Sequence, residues 1–237
     1  MTTIIGIPGC WPDRSAMIGE FVKQNLIMAG FLLQEVETGI HLEINVVPHD
    51  PSLRDAFHYA SYGNMTEDEL AQIDRHTHIL YLICESGQLD DLKALMRIGA
   101  KILDAGGMTV KVESAGVAHR KETWLEMSRD LDEVALYGAF VAKLKGEAGI
   151  YTCGMQQFGF KDVLIKDEEL PPDEAVYLAD QFLLYLLIEK AQVEAGQTFA
   201  LAPEAPLYRI GEVPCDQYHP EDLFHNPAGY WVLERVL

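Results

Sequence analysis

The sequence predicts an α/β or α+β protein, in which a mixed β-sheet is flanked by helices. Three observations support this fold class. Strand-like and helix-like segments alternate through the first half of the chain, and residues 78–112 follow a strand, helix, strand pattern. Residues 173–194 form one long helical stretch that is apolar on nearly all sides between Leu178 and Ile188, which is typical of a buried helix. A duplicated ferredoxin-like arrangement is one concrete form of this architecture.

The first third of the chain contains two strong local signals. Gly39 follows Glu37-Thr38 between two strand-like runs and supplies the positive φ that a hairpin turn favours. Thr66 and Glu69 have the spacing of a capping box at a helix start. The predicted elements are a strand at 3–7, a helix from Asp13 to Leu26, strands at 31–36 and 40–47, and helices at 51–60 and 67–73.

The clearest unit lies in the middle of the chain. An apolar strand at 78–84 precedes a helix that ends at Gly106-Gly107, and residues 108–112 form the next strand. A crossover of this length predicts that the two strands run parallel.

The second half is less regular. The remaining predictions are a helix at 119–129, antiparallel strands within 131–144 and 149–152, the long helix at 173–194, and short strands from 198 onward. Without a linker or repeat, residues 1–237 predict a single compact domain, with two tightly packed halves, 1–130 and 131–237, as the alternative.

Charge and cysteine usage limit the function classes. Eighteen basic against thirty-seven acidic residues give a formal charge of −19, which disfavours nucleic-acid and membrane-surface partners and favours a basic protein partner. Four dispersed cysteines without a CxxC pair, together with a start that lacks signal-peptide character, predict a cytoplasmic protein. No motif requires a cofactor or metal, and we expect neither.

The segment around residue 111 is the first candidate site. Lys111 and Glu113 share one face of a strand, so they are expected to pair or to point together at a ligand. Ser114 follows at the end of the strand, where crossover sheets place binding crevices. His119 is predicted to cap or approach the next helix. The alternative is an exposed ion pair followed by an ordinary turn.

Cys153 is the second candidate, because a cysteine before glycine at a strand end can be an exposed nucleophile. The alternative is a small buried residue at a tight turn. Lys111, Glu113, Ser114, His119 and Cys153 are therefore the candidate catalytic residues.

Two further segments supply candidate binding residues. Arg14 and Ser15 lie in a strand-to-helix loop that could hold an anion at a helix start. His225 lies in a tail segment with metal-compatible side chains, although its spacing from His219 fits no usual metal motif, and Asn226-Pro227 is typical of a turn that fixes the tail. The candidate binding residues are Arg14, Ser15, Asp162, His225 and Asn226.

The chain resembles an uncharacterised bacterial protein family that carries a domain of unknown function. The matching motifs are Ile5-Gly-Ile-Pro-Gly9 with Trp11 and Asp13-Arg-Ser15, Val110-Lys-Val-Glu-Ser-Ala-Gly-Val-Ala-His119, Cys153-Gly-Met155 with Gly159 and Asp162, Gly196-Gln-Thr-Phe199, and Phe224-His-Asn-Pro227. The resemblance implies a bacterial origin and a cytoplasmic location, and it implies no particular activity.

The sequence leaves two functions open. The favoured hypothesis is an acidic binding module that neutralises or escorts a basic protein, since no complete catalytic motif occurs. The alternative is an enzyme for a small polar substrate, with its catalytic residues at the ends of the central strands. The aromatic tail also predicts a possible interface in a homo-oligomer.

Overall fold

A seven-stranded sheet and a six-stranded sheet organise the chain in a computed structural model that describes residues 1–167 and 169–236. Each sheet belongs to one of two compact units, Met1–Ala139 and Phe140–Leu237. This division lies close to the boundary of the two-halves alternative. Whether the two units behave as one domain stays a prediction.

The first unit contains strands β1 to β7 and helices α1 to α6. Its strands are β1 Thr2–Gly9, β2 Leu26–Ala29, β3 Leu32–Glu35, β4 His41–Pro48, β5 His78–Glu85, β6 Thr109–Val112 and β7 Val117–Arg120. Its helices are α1 Arg14–Lys23, α2 Leu53–Ala60, α3 Glu67–Ile73, α4 Leu89–Asp104, α5 Lys121–Asp130 and α6 Glu133–Phe140, whose last residue begins the second unit.

The first sheet has the order β2-β3-β4-β5-β1-β6-β7, and its neighbouring strands are antiparallel. The path β1-α1-β4-β5-α4-β6 reproduces a ferredoxin-like connection, with the β2–β3 hairpin inserted before β4. Strands β5 and β6 run in the same direction, as the crossover predicts, but β1 lies between them. The crossover is therefore a split one.

Strand alternation places the main core of this unit on one face of the sheet. Ile5, Ile7, Leu80, Leu82 and Val110 are fully buried, and α4 packs on this side through its apolar stripe. Part of the opposite face is covered by α2 and α3, which form a smaller core with residues of β5 and β7. The rest of that face carries both polar and apolar exposed side chains, among them Ile27 and Leu32.

The second unit contains strands β8 to β13 and helix α7. Its elements are β8 Ala142–Gly146, β9 Gly149–Cys153, a single 3₁₀ turn at Met155–Phe158, β10 Asp162–Lys166, α7 Pro172–Ile188, β11 Thr198–Phe199, β12 Tyr208–Val213 and β13 Tyr230–Arg235. The strand order is β11-β12-β13-β10-β9-β8, with β10 and β13 parallel. This order differs from that of the first unit, so the ferredoxin-like connection is found in the first unit only, among the described residues.

Several element predictions are corrected by the structure. The strand predicted within 131–144 is wrong at its start: residues 133–140 form α6, because Asp132 accepts a 2.8 Å hydrogen bond from the Ala135 backbone and starts a helix. The helix predicted to reach Leu26 ends at Lys23, since Asn25 adopts a left-handed φ of 57°. His119 lies in β7, not in the following helix.

The long helix of the second unit is shorter and less buried than predicted. It ends at Ile188, and its buried side chains lie along one face. Tyr177 and Tyr185 on the other face are 56% and 44% exposed. Among the residues that the structure describes, no helix is both long enough and apolar enough to cross a membrane.

Candidate functional site

Lys111 and Glu113 form an ion pair on one face of β6, as their spacing in a strand predicts. Both side chains are less than one-fifth exposed. Gly6 on the neighbouring strand makes room for them, because a Cβ there would lie 3.0 Å from Glu113 Oε1 and 2.9 Å from the Tyr81 ring. Burial, together with the charges of Glu113 and Asp50, raises the pKa of Tyr81. The two charges of the pair therefore satisfy each other beside a half-buried phenol.

His119 lies on the opposite face of the same sheet. Val110 pairs with His119 and Lys111 pairs with Ala118, so alternation directs His119 away from Lys111. Its Nε2 donates a 2.8 Å hydrogen bond to the Ala139 carbonyl. This arrangement separates the imidazole from the lysine–glutamate pair.

Ser114 and the N-terminal loop residues have structural contacts. Ser114 is 1% exposed, and its Oγ accepts a 3.4 Å hydrogen bond from the Ile4 backbone. Arg14 donates a 2.6 Å hydrogen bond to the Gly30 carbonyl and so ties α1 to the β2–β3 turn. Ser15 is exposed in the first turn of α1, whose N-cap is Asp13.

An ion network around Glu35 was not predicted. The Glu35 carboxylate is fully buried and accepts hydrogen bonds from Arg97 at 2.7–3.1 Å, with Lys101 at 2.9 Å and Thr38 at 2.7 Å. Burial alone would raise the pKa of Glu35, but these donors outweigh it and lower the pKa to about 2. The signal available in the sequence was the i,i+4 spacing of Arg97 and Lys101 on α4.

A cleft of about 430 Å³ opens beside this network in the first unit, and we call it the acidic cleft. Its lining combines four acidic residues with several apolar ones. The lining consists of Glu43, Glu85, Asp90 and Asp91 with Leu32, Ile40, His41, Leu42, Ile83, Cys84 and Ala94. Glu85 is 3.7 Å from the terminal amine of Met1, and Glu43, Asp90 and Asp91 make no ion pair within the described parts of the chain.

Asp162 is the centre of a buried polar cluster in the second unit. It is 1% exposed and accepts hydrogen bonds from Thr152 Oγ1 at 2.8 Å, the Met155 backbone at 3.2 Å and Asn226 Nδ2 at 2.7 Å. Burial raises its pKa to about 6 despite these donors. The predicted binding residues Asp162 and Asn226 are thus in direct contact.

Cys153 lies beside this cluster and is buried. Its Sγ is 3.8 Å from the Phe224 carbonyl, and burial with the nearby Asp162 charge raises the pKa of the thiol. Cys215 donates to the Tyr230 hydroxyl at 3.8 Å, and the Gln217 side chain donates to the same hydroxyl at 2.7 Å. A buried thiol with a raised pKa is a poor nucleophile at neutral pH.

The tail segment is held by Asn226, which also donates a 3.0 Å hydrogen bond to the Phe160 carbonyl and accepts one from the Ala228 backbone. The backbone of His225 donates to the Asp222 carbonyl. Over residues 1–167 and 169–236, no group of three or more His, Cys, Asp or Glu side chains is arranged to hold a metal ion. These contacts are those of a turn that fixes the tail on the sheet.

The candidate residues therefore fall into two groups. The first unit contains Lys111, Glu113, Ser114, His119, Arg14 and Ser15. The second unit contains Cys153, Asp162, His225 and Asn226. The hypothesis that both groups face one crevice stays a prediction.

Comparison with known proteins places the second unit in context. No curated protein and no solved structure matches the chain. Residues 151–231, which contain Cys153, Asp162, Asn226 and Tyr230, match the family model described as Domain of unknown function (DUF4261). The predicted resemblance to a family of uncharacterised proteins is confirmed by this match, and the matched residues lie in the second unit.

Proposed function

We propose that the protein is a binding module whose acidic cleft docks a basic segment of a partner protein. The observation that carries this proposal is the combination of four carboxylates and an apolar floor in one concave surface. A segment that alternates Lys or Arg with apolar residues complements both properties of the cleft.

The charge balance around α4 supports the proposal. Of its three cations, Arg97 and Lys101 are bound to Glu35 and Glu37, which leaves Lys93 beside Asp90 and Asp91. Acidic residues outnumber basic residues by 37 to 18 in the whole sequence, whose formal charge is −19. This long-range field would accelerate the encounter with a cationic partner.

The floor of the cleft supplies apolar contact area next to the charges. Leu32 is 49% exposed, and Ile83, two strands away on the same face of the sheet, is partly exposed. Exposed Phe31 and Ile27, at 77% and 49%, extend this surface along the β2–β3 hairpin. Apolar contact of this kind would keep binding measurable after salt has screened the charges.

The environments of the candidate catalytic residues favour binding over catalysis. Lys111 and Glu113 neutralise each other, the His119 Nε2 is engaged by a backbone carbonyl, and Cys153 is buried with a raised thiol pKa. The enzyme hypothesis has no comparable geometric support. Self-association through the aromatic tail stays a prediction.

A cytoplasmic location in a bacterium is part of the proposal. Cys84, Cys153 and Cys215 are buried free thiols, and Cys10 is an exposed one. This state is typical of proteins in a reducing compartment.

Fluorescence anisotropy with a labelled peptide of alternating lysine and leucine tests the proposal. The same peptide with glutamate in place of lysine is the negative control. We expect binding of the lysine peptide alone, weakening as salt rises from 50 to 500 mM. The triple variant Glu43→Gln, Asp90→Asn, Asp91→Asn should bind it about tenfold more weakly, from three exposed charge contacts.

A matched variant separates the cleft from net charge. Asp104→Asn, Glu126→Gln and Asp130→Asn remove the same charge from exposed positions of the first unit outside the cleft. This variant should bind like the parent protein. Equal weakening of peptide binding by both triple variants would show that the attraction is nonspecific. The absence of lysine-peptide binding at low salt would overturn the proposal.

A further inference from the structure

We infer that the second unit has a separate small-molecule site, which takes an organic cation consisting of an ammonium group on an aromatic or apolar body. The site is a cleft of about 410 Å³, which we call the tyrosine cleft. Its volume is within the range of ordinary small-ligand pockets.

The floor of the tyrosine cleft is formed by side chains from three adjacent strands. Tyr151 on β9, Leu164 on β10 and Tyr230 on β13 line it. The two tyrosine rings are 6.3 Å apart at an interplanar angle of 80°, so they are held edge to face. Tyr151 is partly exposed whereas Tyr230 is 4% exposed, so Tyr151 supplies most of the accessible ring surface.

Hydrogen bonds of the tyrosine hydroxyl groups fix these rings. The Tyr151 hydroxyl is 3.0 Å from the Tyr218 hydroxyl, and the Tyr230 hydroxyl accepts from Gln217 and Cys215. Because the hydroxyl groups are bound within the protein, the rings need not rearrange when a ligand enters. A preorganised aromatic floor lowers the cost of binding.

The charged side chains in the walls of the tyrosine cleft are acidic. The β8–β9 turn, residues 146–149, forms one wall, and Val213, Pro214, Asp216 and Gln217 form the other. Among the residues that the structure describes, no lysine or arginine lines the cleft, and its carboxylates Glu147 and Asp216 make no ion pair. An anionic ligand would be repelled, whereas an ammonium group would gain both a carboxylate and a ring face.

The shape of the turn wall depends on Gly149. Its φ is +133°, and a Cβ there would lie 2.1 Å from the Ile165 carbonyl oxygen. The turn is therefore pressed against β10 beside Leu164. The cleft keeps its depth because the backbone approaches this closely.

Three probes with the same ring and different charge test the inference: phenethylamine, 3-phenylpropionate and 2-phenylethanol. Saturation-transfer NMR and amide chemical-shift mapping on the full chain should show phenethylamine binding tightest, with Kd on the order of 1 mM, as expected for a ligand of this size. The shifted amides should be those of the β8–β9 turn and residues 213–217. Tighter binding of the carboxylate, or shifts confined to other surfaces, would overturn it.

Three variants sharpen the test. Glu147→Gln with Asp216→Asn should weaken phenethylamine about three- to tenfold, as the loss of two exposed charge contacts implies. Glu204→Gln with Glu221→Gln removes the same charge from exposed positions outside the cleft and should leave binding unchanged. Val213→Lys should reverse the preference toward 3-phenylpropionate. Phenethylamine binding that is unaffected by the first and third variants would contradict the assignment, provided that both variants melt like the parent.

Discussion

Asn226 donates a 2.7 Å hydrogen bond to the carboxylate of Asp162, across 64 residues of sequence. The bond joins Asp162, which follows the 3₁₀ turn, to the turn before β13. The Asp162 carboxylate is held in the interior, where it is 1% exposed. The two residues come from separate motifs of the sequence. Their contact shows that these motifs build one structural cluster.

Replacing Asn226 with alanine should destabilise the protein by about 2–3 kcal/mol, because a buried carboxylate oxygen would lose its donor. Urea unfolding at pH 7 measures this change. Gln192→Ala, at an exposed position in the same unit, should stay within about 0.5 kcal/mol of the parent. A loss for Asn226→Ala no larger than that of Gln192→Ala would contradict the role of the bond.

The raised pKa of Asp162, about 6, makes stability depend on pH. The unfolded value is near 3.9, so the native state binds this proton more tightly. The contribution of Asp162 to the unfolding free energy is fully present below about pH 4 and is lost as pH rises through 6. The total loss is about 3 kcal/mol.

Asp162→Asn isolates this contribution, because the other titrating groups are shared with the parent. As pH rises from 4 to 7, the unfolding free energy of the parent should therefore fall relative to that of Asp162→Asn. A difference that is constant over this range would show that Asp162 does not titrate there.

Glu35→Gln should cost about 2–4 kcal/mol at pH 7, since it leaves Arg97 and Lys101 without their buried counter-charge. Glu37→Gln is the matched control: Glu37 is 58% exposed, shares Lys101 and should cost less than about 1 kcal/mol. Guanidinium unfolding measures the stability of both variants. Similar losses of unfolding free energy in the two variants would contradict the buried network.

Acid should weaken the same network. The Glu35 pKa is lowered to about 2, so its contribution is present above the unfolded value near 4.3 and is lost as pH falls through 2. The difference between the parent and Glu35→Gln should therefore shrink between pH 4.5 and pH 2.

Cysteine alkylation should follow exposure and thiol pKa. Cys10 is exposed, whereas burial raises the pKa of Cys84 to about 11 and raises that of Cys153 as well. Iodoacetamide at pH 8 should modify Cys10 first, as read by peptide mass spectrometry, and Cys10→Ser should abolish the fast phase. Denatured protein should react at all four positions. Cys153 reacting as fast as Cys10 in the native protein would revive the nucleophile hypothesis.

Local signals in the sequence predicted local structure well. The capping box at Thr66 and Glu69 is present, and Gly39 has a φ of +73° in the predicted hairpin. The ion pair of Lys111 and Glu113 also followed from strand alternation alone. These features depend on residues within a few positions of one another, so one segment contains all the information.

Features that depend on distant segments were not predictable in the same way. Glu35 is buried because α4 supplies its cations, and nothing near residue 35 identifies that helix. His119 was grouped with Lys111 by sequence proximity, but the register of the β6–β7 hairpin places it on the other face. The apolar run before β8 became a helix because Asp132 caps it, which overrode the alternating pattern.

The central position of β1 has a consequence for how the first unit is made. Within this unit β1 precedes the other strands, and both of its neighbours, β5 and β6, come much later in the chain. During translation its edges stay unpaired until residues 78–112 have left the ribosome. Folding of this unit should therefore be slow and nearly all-or-none, with β1 as the segment most in need of chaperone protection.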